Sequence, residues 1–482
     1  MRTKFLPGLL AACLLSACGG SDGVGAAAPL FVSPAPSDPV VPVAPPVAPP
    51  VAPPVKPTFG AQVSFGDSLS DVGTYAVGAV KTLGGGTFTV NGDHTAIDAS
   101  LTGKTWTAVL AARLGLAVPC AAQTGLDGDA ASGFAVPVEN HAGCLGYAQG
   151  GARVTHPVGP GNKLTGSALG ALTVPVVTQI ANHLALSGGR FKADDMVLVM
   201  AGGNDVLLEL AALNAAVQGA GTSVGSTVYV STLVELLAAG ATHPTAAAQA
   251  ISAAVATAQA TPGSTAASVL QAAVGAAVVQ PGNSAVSAPA VYGPMVEKAQ
   301  DDAAIAGVAA GNAYFNAHAP DLVDRMTTAG AELAALVKDQ ILGKGAQFVV
   351  VNNLPDVAGT PAGREESAGG QRLIAAMVQA FNAQLDTALS GDARVLLVDA
   401  HALSRETAAN PAGYGLTNVT DTACDLNAAR NPLQSSLACN GSNLKPGDVS
   451  HYAYADEIHP TPYYHALLAG YVAQKMAQRG WL

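Results

Sequence analysis

The chain is 482 residues long, which leaves room for one large domain or two or three ordinary ones and for a sizeable buried core. Charged residues are only 11% and the formal net charge is −11. No basic cluster is present that could neutralise a phosphate backbone, which argues against nucleic acid as a partner.

The first residues read MRTKFLPGLLAACLLSAC. Arg2 and Lys4 precede an apolar stretch of about a dozen residues and then small residues, a pattern too short to span a bilayer and typical of a secretory signal. Leu15-Ser16-Ala17-Cys18 resembles the bacterial lipobox, which implies lipidation of Cys18 and a tether to a membrane. Gly19 in second place resembles lipoproteins sent to the outer membrane. The expectation is a signal over 1–18 and an outer-membrane lipoprotein facing the periplasm or the cell surface; ordinary cleavage and secretion is the alternative. No other run is long and apolar enough for a transmembrane helix. Cys13 leaves with the signal, so Cys120, Cys144, Cys424 and Cys439 remain. An even number in an exported chain suggests two disulfides, and of the three pairings the sequence-local one, Cys120 with Cys144 and Cys424 with Cys439, is favoured. A cysteine metal site is the weaker reading, because no C-x-x-C spacing occurs.

Residues 19–58 form a linker whose core is the proline-rich run Ser33–Pro57. Proline fixes the backbone dihedral and removes donors, so this run is an extended polyproline II spacer that at about 3.1 Å per residue reaches up to roughly 80 Å. After it, four compact apolar runs end in Gly, Asn or Asp: AQVSFGD from Ala61, DMVLVMAGGND from Asp195, AQFVVVNNLPD from Ala346 and ARVLLVDAH from Ala393. Apolar runs without alternation suit strands buried on both faces of a parallel sheet. Helix-like stretches such as TWTAVLAARLG from Thr105 and MVQAFNAQLDTAL from Met377 lie between them, so the fold class is α/β. Ligands of such open sheets sit beyond the carboxyl ends of the strands, where the polar tails of these runs would gather. The Ala-rich region 206–342, with breaks at His243-Pro244, Pro262-Gly263 and Pro281-Gly282, reads as a helical insertion, either a lid or a decorated crossover.

The stretch FGDSLSDVG from Phe65 would place the Ser68 hydroxyl at the carboxyl edge of the sheet, near the start of a following helix, where an activated nucleophile belongs. Ser68 or Ser70 could equally cap that helix, with Asp71 as the capping-box partner. Near the C-terminus, YADEIHPTPYYHALLAG from Tyr454 sets Asp456 three residues before His459. Pro460 biases His459 away from helical geometry and is placed to start the last helix. A carboxylate accepting from one imidazole nitrogen leaves the other to take a proton from a serine; the same pair could also be only a loop-stabilising hydrogen bond.

In order along the chain, FGDSLSDVG at Phe65, YAQGGAR at Tyr147, AGGND at Ala201 and DEIHP at Asp456 resemble the four sequence blocks of the GDSL, or SGNH, esterases and lipases, most closely the branch with the FGDSLSD start. Further likenesses are WTAVLAARLGL at Trp106, VVNNLPDVAGTP at Val350 and VLLVDAH at Val395, so the resemblance spans most of 59–482, which it implies is the catalytic domain, and leaves the insertion uncovered. The resemblance implies a three-layer α/β/α sandwich of flavodoxin-like type around a central parallel sheet. It implies Ser68 as nucleophile, His459 as general base and Asp456 as its orienting partner, with an oxyanion hole made by the Ser68 N–H, the Gly151 N–H and the Asn204 side chain. It implies no cofactor and no metal, and a small-molecule or lipid ester as substrate. Phospholipase or acyltransferase activity from the same acyl-enzyme is the alternative, and a non-catalytic surface-anchored binding lipoprotein is the rival from another class. Where the family's second block usually opens with Asn, this chain has Gly146.

Gly221-Thr222-Ser223-Val224-Gly225 matches the G-x-S-x-G elbow of α/β-hydrolases, but that elbow needs a preceding strand and LLELAALNAAVQGA is helix-like, so Ser223 is read as part of a loop. His451, His459, His465 and Asp456 lie close in sequence without an H-E-x-x-H spacing, so His451 and His465 are read as solvent-facing or core histidines. Leu468, Tyr471, Val472, Lys475 and Met476 recur at helical spacing and read as a packing face ending at Gly480.

Overall fold

The computed structural model describes residues 56–92 and 98–482. The signal, the lipobox with Cys18 and nearly all of the proline-rich linker lie outside the described residues.

The four apolar runs form a parallel sheet of β1 (Ala61–Gly66), β4 (Asp195–Met200), β5 (Phe348–Asn352) and β6 (Val395–Val398), in that order across the sheet. Val63 stands beside Val197, Val197 beside Val349 and Val349 beside Val395, so one register runs across all four strands. Between β1 and β4 lie the short hairpin β2 (Gln123–Asp127) and β3 (Ala135–Asn140), and near the C-terminus β7 (Asn418–Thr422) pairs with β8 (Tyr452–Tyr454).

Side chains alternate across the sheet, and each face is covered. Val63, Phe65, Val197, Val199, Val349 and Val351 face one layer of helices, while Met196, Leu198, Met200 and Val350 face the other. The first layer holds α3 (Val176–Leu186), α9 (Ala368–Leu389) and the sheet-proximal parts of α4 (Gly203–Ala238) and α7 (Pro289–Ala335). The second holds α2 (Trp106–Arg113), α10 (Ala400–Ala409) and α11 (Pro462–Gln478). The short helices α1 (Gly78–Thr82) and α8 (Pro361–Glu365) sit in loops.

The Ala-rich region is helical, but its boundaries differ from the 206–342 reading. It begins inside the sheet layer: Val206, Leu210 and Leu213 of α4, and Leu322, Met326 and Leu333 of α7, are buried in the main core. The connection from β4 to β5 is therefore the crossover itself, extended outward. At about 1.5 Å per residue, α4 and α7 run roughly 54 and 70 Å, and α5 (Pro244–Ala260) and α6 (Ala266–Val278) pack on their far ends around a separate core that includes Leu237, Ile251 and Ala273. Gly221 and Gly225 fall mid-helix, where a Cβ on Gly221 would stand 2.9 Å from the Gly307 carbonyl oxygen and one on Gly225 3.1 Å from that of Ala303. The G-x-S-x-G match is thus neither an elbow nor a loop. Its glycines let α4 and α7 cross closely, and Ser223 is exposed on the opposite side.

Two smaller expectations are also corrected. The last helix starts two residues later than Pro460 suggests: Thr461 is its N-cap, accepting from the Tyr464 N–H, and Pro462 is the first helical residue. Of its expected packing face, Leu468, Val472 and Met476 are buried and Tyr471 packs against the same core, whereas Lys475 lies over the Tyr471 ring, its ammonium 4.9 Å from the ring centroid. Both sequence-local disulfides are present, Cys120–Cys144 and Cys424–Cys439, with Cα separations of 5.0 and 6.0 Å.

His183 of α3 is buried among Phe65, Tyr147 and Phe191, and neither ring nitrogen has a hydrogen-bond partner among the described residues. Burial, with the Lys192 charge second, lowers its pKa to about 4. The unfolded chain therefore takes up a proton here that the folded one does not, and stability is lost as pH falls from the ordinary histidine value of about 6.5 towards 4. His183→Phe is expected to raise stability at pH 5 by ~2 kcal/mol relative to its effect at pH 8, read by thermal or urea unfolding at the two pH values.

Candidate active site

Three chain segments reach one edge of the sheet because each leaves a strand, or pairs with one, in the same direction. β1 ends at Gly66, whose φ of +150° carries the chain past Met200 so closely that any Cβ would collide with the Met200 carbonyl. Asp67 N–H then donates to that carbonyl at 3.3 Å and Ser70 N–H to the Asp67 carbonyl at 3.1 Å, closing a turn with Ser68 at its tip. No helix starts there: the next one is α1 at Gly78. Asp71 is not a capping-box partner either. Its carboxylate accepts from the Gly73, Thr74 and Gly150 N–H groups at 2.8 to 2.9 Å and so ties the Ser68 turn to the Gly150 loop.

The second segment, 145–149, runs beside β1 on its free edge. Ser64 N–H donates to the Leu145 carbonyl, Tyr147 N–H to Ser64 and Gln149 N–H to Gly66. This pairing delivers Gly150 and Gly151 to the sheet edge. Gly146 lies within it, where a Cβ would press on Val72 and on the Cys120 carbonyl, so this glycine has a packing role. Gly151 adopts φ +79° against Pro160 and Thr173, a conformation and a closeness that only glycine allows. The third segment follows β4. Gly202, at φ +114° against the Phe381 ring, caps α4 and sets Asn204 in its first turn.

His459 and Asp456 come from a tight turn closed by the Ala455 N–H to His459 carbonyl bond of 2.7 Å. His459 Nε2 lies 2.9 Å from Ser68 Oγ, and His459 Nδ1 lies 2.9 Å from both carboxylate oxygens of Asp456. An ionised carboxylate only accepts, so Nδ1 carries the proton and Nε2 is left to accept from the serine hydroxyl. The loop-stabilising reading of Asp456 also holds: its Oδ1 accepts from the Ile458 and His459 N–H groups at 3.0 and 2.7 Å. Burial pushes the Asp456 pKa up, but the His459 charge and the hydrogen bonds from His459 and Ser436 outweigh it and hold the carboxyl well below the usual range. Phe88 leans on the imidazole with ring centroids 4.9 Å apart.

Ser68, Gly151, Asn204 and His459 all line one cavity of about 460 Å³. Neither the Ser68 nor the Gly151 N–H has an acceptor among the described residues, and the Asn204 amide donates once, to the Ala152 carbonyl at 2.9 Å, leaving one N–H. The arrangement can therefore deprotonate a hydroxyl and offer up to three donors to an anion formed beside it. From 206–342 only Leu207 lines the cavity, so among the described residues the insertion acts as an extended crossover rather than a lid. His465 is a core residue: its Nδ1 accepts from the Trp106 N–H at 3.2 Å, and burial, then the His459 charge, lower its pKa to about 3. His451 contacts Ser450 and the Tyr463 ring. No group of side chains with metal-ligand spacing occurs among the described residues.

Two features had no sequence signal. The loop inside the Cys424–Cys439 disulfide supplies Ser436, whose N–H donates to Asp456 Oδ2 at 2.7 Å, and supplies Leu433, Ser435 and Leu437 to the cavity wall. Behind Gly151 and Asn204, Arg153 pairs with Asp205 at 2.8 Å and Glu209 at 3.0 Å, while Asp205 also accepts from the Val154 N–H. Burial raises the Asp205 pKa, and the Arg153 charge opposes the rise. Arg153 is two residues beyond Gly151 and Asp205 is next to Asn204, so one ion pair holds both donors.

No family model matches the chain, and no curated protein matches it.

Replacing both Cys424 and Cys439 by Ala opens a loop of 15 residues, expected to cost ~3 kcal/mol in chemical unfolding and to slow phosphonylation of Ser68, because Asp456 loses a fixed donor. Asp205→Asn is expected to slow the same labelling by about 10- to 100-fold with unchanged circular dichroism, as a donor misplaced by ~1 Å would.

Proposed function

We propose that the protein is an exported serine esterase of the GDSL (SGNH) family, anchored to the outer membrane through Cys18, that hydrolyses uncharged carboxylic esters with an apolar acyl group. The observation that carries this reading is the unbroken hydrogen-bond chain Asp456–His459–Ser68 at the mouth of a cavity that also receives Gly151 and Asn204. A binding module has no use for a serine hydroxyl aligned on an imidazole whose other nitrogen is held by a buried carboxylate.

In the proposed reaction Ser68 Oγ attacks the ester carbonyl while His459 Nε2 takes its proton. The carbonyl oxygen gains the negative charge and meets the N–H groups of Ser68, Gly151 and Asn204. One such donor is typically worth about 3 to 4 kcal/mol of transition-state stabilisation. Collapse expels the alcohol, which receives the proton from His459 and leaves an acyl group on Ser68. Water then attacks the acyl-enzyme with His459 again as base, and the acid departs. The scheme requires no cofactor. An alcohol in place of water would give acyl transfer.

The cavity wall bears on the substrate. Phe88, Phe134, Leu169, Leu207, Leu433 and Leu437 dominate it, and among the described residues its only ionisable side chains are Asp67 and His459. Burial, above all, raises the Asp67 pKa to about 7. With no Lys or Arg among the described lining residues to receive a phosphate headgroup, the wall favours a neutral ester over a phospholipid.

The test is labelling with a fluorophosphonate, with the adduct located by peptide mass spectrometry. It is expected on Ser68, to be lost in Ser68→Ala and His459→Ala, and to parallel a fall of ~10⁴-fold or more in turnover of a p-nitrophenyl ester. Turnover that survives Ser68→Ala, or an adduct on another serine, would sink the reading.

A further inference from the structure

Between Glu235 and Glu297 the chain carries no Asp, Glu, Lys or Arg. This segment nevertheless folds into α5, α6 and the start of α7, packed on the outer end of α4 around a core of its own. Beyond the glycine crossing of α4 and α7 a cavity of about 510 Å³ remains between the four helices, within the range of small-molecule sites. Tyr229, Leu233, Val255, Val269 and Leu270 supply its apolar wall. The polar groups reaching it are hydroxyls and the side-chain amides of Gln259 and Gln300, all uncharged. An adjoining groove of about 810 Å³ between α4 and α5 shares Ser226, Val230 and Gln259 with the cavity and carries Glu235. The exposed Gln259 thus stands where the chamber meets a groove that is itself mainly apolar but carries a carboxylate. No lining residue is common to this cavity and the one at Ser68.

We propose that this chamber in the helical arm is a second binding site, one for an uncharged single-chain amphiphile such as a long-chain alcohol or a monoacylglycerol. The tail lies among Tyr229, Leu233, Val269 and Leu270, and the hydroxyl meets the Gln259 amide at the mouth. Size and lining select the tail. Charge selects the head: none of the described residues lining the chamber or the groove is a cation, so a carboxylate or phosphate at the exposed Gln259 gains no counter-charge, and the groove it borders carries the Glu235 carboxylate. Lys298, a cation close by in sequence on α7, is paired with Asp302 at 3.0 Å. A hydroxyl, by contrast, exchanges one hydrogen bond with water for one with an amide. The proposal is independent of the esterase reading.

The full chain is titrated with the uncharged fluorophore N-phenyl-1-naphthylamine in a Leu207→Trp background, which narrows the Ser68 cavity and leaves the arm untouched. Saturable binding is expected, displaced by dodecanol and by monolaurin, with ionised laurate at least about tenfold weaker as a competitor. Val269→Trp and Ala304→Trp each fill the chamber and should weaken probe binding at least about tenfold at unchanged helical content. Ala304 is exposed, so its variant tests the site even where Val269→Trp fails to fold. No saturable binding, binding that survives both filling variants, or laurate competing as well as dodecanol would each overturn the proposal.

Discussion

The parallel pairing of β1 on both of its edges is the constraint on which the rest depends. On one side it bonds to β4, and on the other to the irregular segment 145–149. Parallel neighbours end at the same edge, so this single register delivers Ser68, Gly151 and Asn204 to one place from positions far apart in the chain. The close crossings that follow then dictate residue type. Gly66 passes the Met200 carbonyl, Gly151 passes Pro160 and Gly202 passes Phe381, each at a separation that excludes a Cβ. A slip of one residue in the register would turn Phe65 and Val63 out of their layer and carry the serine away from its imidazole.

Holding charge in this setting needs dedicated partners. Asp456 is buried and would by burial alone prefer to be neutral; the donors of its own turn, the Ser436 N–H and the imidazole reverse that preference. Asp71, also buried, has three backbone N–H partners but no cation, and its pKa is raised, with burial as the leading cause. The contrast between the two carboxylates follows from the histidine. Asp456 has the imidazole as a side-chain donor partner besides backbone N–H groups, whereas backbone dipoles alone do not compensate the loss of water around Asp71.

The strands were legible because each is a short apolar run closed by Gly, Asn or Asp, and their polar ends mark the edge where the candidate triad assembles. The pairing of Asp456 with His459 was legible because it is local in sequence. What escaped was non-local or irregular. The segment 145–149 has neither apolar alternation nor length, since its partner supplies the order. Ser436 is an ordinary serine in a loop, and its importance arises from a backbone N–H, which sequence does not encode. Asp71 sits where a capping box would place it, but the chain turns instead of coiling, because Gly73 and the Gly150 loop offer it competing donors. That the two ends of the insertion belong to the sheet layer was not legible for a related reason: α4 and α7 change environment from sheet layer to arm without any break in helical composition.

The long arm carries a structural consequence for the edge it leaves. α4 begins with Asn204 and Asp205 at the sheet and ends among α5 and α6, and α7 returns beside it. Arg325 of α7 meets Glu209, which meets Arg153, so the base of the arm is fastened to the same ion pair that seats Gly151 and Asn204. A helix is stiff along its axis, whereas the arm's far core is separate from the sheet's. Because α4 itself carries Asn204, the arm and the candidate site share one continuous helix, and the ion pairs at its base are where the second, returning helix joins them.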